Sequence, residues 1–140
     1  MGRSMKTQKA GTILINKEKR QIGLVYRVTR KDLTFPKGHV EEGETIDLCA
    51  IRETEEETGH FCHLLSEEAF STLSYTTPDQ EEVEAHFFIA LDDGKSNNIS
   101  PDPEILVWID IDDVDKSLSY DNLKILWEDA KEIVMKVLNE

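Results

Sequence analysis

The sequence predicts an α/β domain, and three observations carry that expectation. Short apolar runs rich in β-branched residues recur along the chain, two longer segments have helical composition, and Gly- or Pro-containing stretches divide them. At 140 residues the length suits one core, so residues 1–140 are expected to form a single domain. With 39% hydrophobic and 32% charged residues, and only seven Gly and four Pro, disordered, collagenous and disulfide-scaffold classes are set aside.

Residues 12–16 (TILIN) and Gln21–Arg27 (QIGLVYR) read as two strands of a hairpin turned by Lys17-Glu18-Lys19-Arg20. Residues 32–43 contain one Pro and two Gly and read as a structured loop of the kind that carries function. Residues 44–58 lack Gly and Pro and are rich in helix formers, which predicts a first helix with Thr45 at its N-cap, Leu48 as its first apolar position and Gly59 as C-cap. On that helix Ala50, Ile51 and Thr54 share one face, and Glu53, Glu56 and Glu57 another. Residues 70–75, 83–91 and 105–111 read as later strands, the last two divided by a turn at residues 92–98. From about Tyr120 a stripe of Leu123, Leu126, Trp127, Ala130, Ile133, Val134, Val137 and Leu138 predicts a second helix packed through that face.

The net charge of −13 conceals a division. Residues 1–38 hold ten Lys or Arg and two acids, whereas the remainder holds six Lys or Arg and 27 acids. One part can attract an anion and the other can gather cations. A nucleic-acid polymer is an unsuitable partner for so acidic a chain. No run of about 18 apolar residues appears and the N-terminal residues lack a secretory apolar core, so no membrane partner is expected and a cytoplasmic setting is. Cys49 and Cys62 are read as reduced thiols, Cys49 buried and inert in mid-helix. Cys62 with His60 and His63 is too cramped for a tetrahedral zinc site.

The chemistry concentrates in Gly38-x5-Glu44-x7-Arg52-Glu53-Thr54-Glu55-Glu56-Glu57-Thr58-Gly59. Glu53, Glu56 and Glu57 stand at i, i+3 and i+4, so a helix brings three carboxylates within reach of one point. A hard divalent cation with oxygen ligands relieves their repulsion, and Mg²⁺ bound this way usually meets substrate phosphates as well.

This stretch, residues 38–60, resembles the Nudix box. Its fixed Gly, Glu and Arg positions are met by Gly38, Glu44, Arg52, Glu53, Glu56, Glu57 and Gly59, while Thr54 and His60 occupy positions that are apolar in the family. The resemblance implies an α/β/α sandwich with a central mixed β-sheet and Mg²⁺-dependent hydrolysis, with Mn²⁺ an alternative metal. It implies a substrate in which a nucleoside diphosphate is linked to another moiety. Glu53, Glu56 and Glu57, with the Lys37 carbonyl, would hold metal, Glu53 and Glu57 would act in catalysis, and Glu44 and Arg52 would form a structural ion pair. The stretch Phe35-Pro36-Lys37-Gly38-His39-Val40-Glu41 resembles the diadenosine tetraphosphate hydrolase and diphosphoinositol phosphohydrolase branches. Tyr75, 16 residues after Gly59, matches a tyrosine of the dinucleoside polyphosphate branch that can stack on a purine, and it equally suits a strand core. Lys37, with Arg27 or Arg30, would meet phosphates; His39 and His86 could do so too. Glu84 and Glu104, with Glu82 behind them, are candidates for an extra ligand or base. Substrate expectations are therefore a small nucleotide, first a dinucleoside polyphosphate. The alternatives are a nucleoside triphosphate or oxidised nucleotide, an inositol pyrophosphate, or a nucleotide sensed without hydrolysis.

Overall fold

A computed structural model describes residues 5–97 and 105–140. Eight strands form one mixed sheet: β1 (Thr7–Asn16), β2 (Gln21–Arg27), β3 (Asp32–Thr34), β4 (Lys37–His39), β5 (His60–Leu64), β6 (Ser71–Thr76), β7 (Glu82–Lys95) and β8 (Ile105–Asp110). The helices are α1 (Ile46–Thr58), the single turn α2 (Val114–Ser117) and α3 (Asp121–Leu138).

β1 and β7 lie parallel at the centre, in register from Thr7 opposite Val83 to Ile15 opposite Leu91. Both are covered on both faces, which is why they read as almost continuous apolar runs. Alternate side chains then choose between two cores. Ile13, Ile15, Val83, Ala85, Phe87 and Ile89 meet Leu123, Leu126, Trp127, Ala130 and Val134 of α3. Ala10 and Phe88 meet Cys49 and Ala50 of α1, and Leu14 and Ala90 meet Cys62. The result is an α/β/α sandwich.

The segment expected as a loop is instead a wedge of two short strands. β1 and β2 pair only from Leu14 opposite Gly23 to Asn16 opposite Gln21. Beyond that they part: β2 takes up β3 through Val25, Tyr26 and Arg27, and β1 takes up β4 through Lys9, Ala10 and Gly11. Thr12 N–H donates to the Pro36 carbonyl at 3.1 Å, pinning the crossing between them. The missing signal is physical, because a three-residue strand next to Pro36 is defined by its partners rather than by its own side chains.

Two further expectations change. β7 runs into the turn expected at 92–98 as far as Lys95, because β5 supplies a partner up to His60 opposite Lys95; Asn98 lies outside the described residues. β5 itself had no sequence signal, having two His in five residues. It is held in part by His60 Nδ1 with Asp92 Oδ1 at 2.8 Å and His63 Nδ1 with Asp93 at 2.9 Å. On the helices, Ile133 is 39% exposed and so leaves the packed face expected of its stripe, and Leu48, expected as the first apolar position of α1, follows Ile46 and is 58% exposed. Ile133 sits at the rim of the α3 stripe, whereas Leu48 lies on the side of α1 opposite Cys49, Ala50, Thr54 and Thr58.

Candidate functional site

Gly59 ends α1 in the left-handed conformation, φ 72°, and its N–H bonds the Glu55 carbonyl. Thr45 stands at the N-cap without a side-chain cap bond. Between these ends α1 presents its charged face to β4. Arg52 is the hub of that face: Nε donates to Glu44 Oε2 at 2.7 Å and Nη2 to Glu44 Oε1 at 2.9 Å. Nη1 reaches Glu53 at 3.0 Å and Glu56 at 3.2 Å, and Nη2 also holds the His39 carbonyl at 3.0 Å. One guanidinium thus spans the helix, the chain before it and β4, using its rigid fork. The hydrogen bond from Arg52 brings the Glu44 carboxyl down to about 2.

Gly38 explains how Glu53 reaches the sheet. A Cβ on residue 38 would lie 2.0 Å from the Glu53 carboxyl carbon and 2.1 and 2.3 Å from its oxygens. Only glycine leaves that space. Burial there pushes the Glu53 carboxyl above the usual range, although Arg52 pulls the other way. Beside it, Glu57 Oε1 accepts the Lys37 N–H at 2.9 Å. Lys37 is opposite Gly11 at a position whose neighbours carry the bonds to β1, so its backbone N–H and C=O point off that strand.

Glu53 and Glu57 line a polar cavity of about 290 Å³ together with Lys9, Arg27, Arg30, Lys37, Gly38 and His39. It adjoins a larger space of about 470 Å³ that shares the four cations and adds Tyr75, Phe87 and Tyr120. This opening is where β1 and β2 part around the wedge. Burial, reinforced by Arg27 and Lys9, lowers the Lys37 ammonium to about 8. Burial likewise lowers Lys9, with Arg27 and Arg30 adding to it against Glu81. Such concentrated positive charge is unfavourable without an anion.

The oxygen donors of Glu53, Glu57 and the Lys37 carbonyl suit a hard divalent cation. Glu56 lines neither cavity, and its carboxylate accepts from the same Arg52 Nη1 that reaches Glu53. Among the described residues no three His, Cys, Asp or Glu side chains stand together as a metal-binding group.

A family model of the NUDIX domain matches residues 5–135. The chain belongs to the NUDIX family. It is 31% identical over 109 residues to an 8-oxo-(d)GTP phosphatase of Mycolicibacterium smegmatis, covering 76% of this chain and 32% of that protein. The chain therefore spans about a third of that curated relative. Among solved structures, a NUDIX hydrolase from Nitrosomonas europaea superposes with a TM-score of 0.76 at 20% identity, covering 91% of this chain and 90% of its own. An Ap4A hydrolase from C. elegans does so with a TM-score of 0.73 at 23% identity, covering 93% of this chain and 99% of its own. At these identities both are likenesses of fold.

The two departures of this NUDIX chain from the apolar positions of the box have local explanations. Thr54 is fully buried, and its hydroxyl bonds that of Thr12, also fully buried, at 2.8 Å. Thr54→Val should strand the Thr12 hydroxyl and lower stability by about 2 kcal/mol, whereas Thr12→Val/Thr54→Val should cost much less than the two single changes together. Urea unfolding of the four proteins measures the coupling. His60 instead packs edge-on to Trp108, with ring centroids 5.5 Å apart, while bonding Asp92.

Other expected residues fall elsewhere. Tyr75 lines the larger cavity and packs against the core that α3 covers. Glu84 lines neither cavity; it accepts from Gln8 Nε2 at 2.9 Å across the β1–β7 pair, which turns it away from the cleft. Glu104 lies outside the described residues. Glu82 and His86 do not line the cleft either, and His86 is bonded to Gln8 at 2.6 Å and Thr72 at 2.8 Å. Lys9 and Tyr120 were not singled out by the sequence. Lys9 enters through its register with His39, which no local pattern announces.

Because Glu44 titrates lower in the folded chain than in an unfolded one, the stability it contributes is complete above about pH 4.5 and fades as pH falls towards 2. Glu44→Gln should lower stability at neutral pH and flatten the stability curve over that interval. Thermal midpoints from pH 2 to 7 for both proteins measure it.

Proposed function

We propose that the chain hydrolyses a dinucleoside polyphosphate, diadenosine tetraphosphate being the leading substrate, to mononucleotides in a reaction requiring Mg²⁺ or Mn²⁺. The observation that carries this reading is the meeting of four cations, Lys9, Arg27, Arg30 and Lys37, with Glu53 and Glu57 in one cleft that widens towards Tyr75. A chain of phosphates needs several cations in a row, and a base at its end needs an aromatic face.

Glu53, Glu57 and the Lys37 carbonyl are the proposed metal ligands, with Glu56 a further carboxylate at present held by Arg52. A divalent cation bound there supplies neutralisation of phosphate charge and a more acidic water. Glu53, its carboxyl raised by burial, is suited to take a proton from an attacking water. The Lys37 ammonium and the Arg27 guanidinium neutralise the phosphate oxygens and orient the chain of anhydrides. Arg52 holds Glu44, Glu53 and the β4 carbonyl in one frame, so its contribution is the position of those groups.

A second reading, a nucleoside triphosphate pyrophosphatase that removes oxidised nucleotides, is favoured by the 8-oxo-(d)GTP phosphatase relative. A panel of diadenosine tetraphosphate, 8-oxo-dGTP, dGTP and an inositol pyrophosphate, with products separated by chromatography, decides between them. The first reading expects kcat/KM at least about tenfold higher for diadenosine tetraphosphate. Preference for 8-oxo-dGTP with release of pyrophosphate selects the second, and tight nucleotide binding without products selects a sensing module.

A further inference from the structure

The cationic cleft contains a charge of the wrong sign for its proposed task. Asp32, the first residue of β3, is 5% exposed and lies within electrostatic reach of Arg27 and Lys37. A buried carboxylate there weakens the positive potential that an anion would meet. Its contacts supply a reason for its presence. Arg27 Nε donates to Asp32 Oδ1 at 2.7 Å and Arg27 Nη2 donates to Oδ2 at 2.6 Å. The Tyr120 hydroxyl donates to the same Oδ2. Tyr120 is itself carried to this point by Ser119, whose Oγ accepts the Leu33 N–H at 2.8 Å and whose N–H donates to the Leu33 carbonyl at 3.1 Å.

A guanidinium has five N–H donors in a rigid plane. The side-on fork with Asp32 occupies one at Nε and one at Nη2, the Tyr120 hydroxyl lies against the same guanidinium, and the Nη1 donors stand outside the fork. Arg27 lines both cavities, so a planar group with one edge held by Asp32 leaves its other donors for the cleft. Without the fork, a flexible side chain would have to be ordered each time an anion bound.

We propose that Asp32, braced by Tyr120, is a positioning residue that presents the free edge of Arg27 to the phosphate of a bound anhydride. The inference rests on the reading that the cleft takes such an anhydride. It makes a prediction opposite in sign to simple electrostatics. If Asp32 were only a counter-charge, Asp32→Asn would strengthen anion binding; if it positions Arg27, the same change weakens binding although the cleft becomes more positive.

The test is calorimetric titration of the full chain with inorganic pyrophosphate in EDTA. Neither metal nor turnover enters, so a failure of the hydrolase reading appears in the substrate panel and not in this titration. Wild type is compared with Asp32→Asn, Arg27→Lys and the double variant, with circular dichroism and thermal midpoints recorded for each. The expected result is about fivefold to tenfold weaker binding for Asp32→Asn, and a further change of less than about twofold when that substitution is made on Arg27→Lys, which cannot form the fork. Tyr120→Phe should weaken binding in the same direction by about twofold to threefold. Equal or tighter binding by Asp32→Asn overturns the proposal, as does an equal loss on both backgrounds, which would mean that Asp32 acts through the fold and not through Arg27. Should Asp32→Asn fail to fold, Tyr120→Phe on the two backgrounds decides on the same terms.

Discussion

Glu53→Gln is expected to lower kcat by about 10³-fold while leaving the thermal midpoint close to that of the wild type. The side chain is 14% exposed, and its carboxyl sits in the space that the absent Cβ of Gly38 leaves open. Glutamine has the same shape but cannot hold the negative charge that a cation requires or accept the proton of an attacking water. Gly38→Ala tests the same group from the opposite side. Its Cβ would meet the Glu53 carboxyl at 2.0–2.3 Å, and the flexible end of that side chain can give way. The fold should therefore survive while the carboxylate is displaced, and turnover should fall by a similar order. Product chromatography with saturating Mg²⁺, together with calorimetric melting, separates loss of chemistry from loss of structure. Wild-type turnover in Glu53→Gln would show that the site has been assigned to the wrong residues.

The largest stability effect is expected at a glycine outside the box. A Cβ on Gly11 would lie 2.0 Å from the Pro36 carbonyl oxygen, 2.6 Å from Lys37 Cβ and 2.8 Å from Lys37 Cα. These atoms belong to the wedge, and the Pro36 carbonyl is already bonded to Thr12 N–H. Unlike the carboxylate beside Gly38, they cannot rotate away, so the wedge must separate from β1. Gly11→Ala should cost about 3 kcal/mol or more, a fall in melting midpoint of roughly 10 °C for a chain of this size. Gly23→Ala is the internal comparison: its Cβ would meet only side chains, at 3.0 Å from Leu14 and 3.1 Å from Trp108, and should be better tolerated. Chemical denaturation of the two variants orders them, and an equal cost at both positions would refute the wedge argument.

The parts of the site legible in the sequence are those whose partners are close in the chain. Glu53, Glu56 and Glu57 share a helical turn, Arg52 reaches Glu44 eight residues away, and Gly59 closes the helix because a left-handed residue is needed there. The hairpin of β1 and β2 is legible for the same reason, with Leu14 meeting Gly23 across a short turn. The fates of the three carboxylates are not local. Glu53 fills the space beside Gly38 while sharing Arg52 with Glu56, and Glu57 takes the Lys37 N–H, a division that one helical wheel cannot make. Likewise Thr54, at a position that is apolar in the family, is explained only by Thr12 of β1, whose hydroxyl it meets.

By itself the sequence determined the family motif, the helix that bears it, and the basic and acidic division of the chain. Those follow from spacing and side-chain chemistry over short stretches. Only the tertiary structure decided that residues 32–39 form a wedge between β1 and β2, that Lys9 joins Arg27, Arg30 and Lys37 in one cleft, and that Asp32 and Tyr120 hold Arg27. The reason is that a strand edge and a cleft are relations between distant segments. Three residues of β4 have too little pattern to declare a partner, and Asp32 is 88 residues from the tyrosine that braces it.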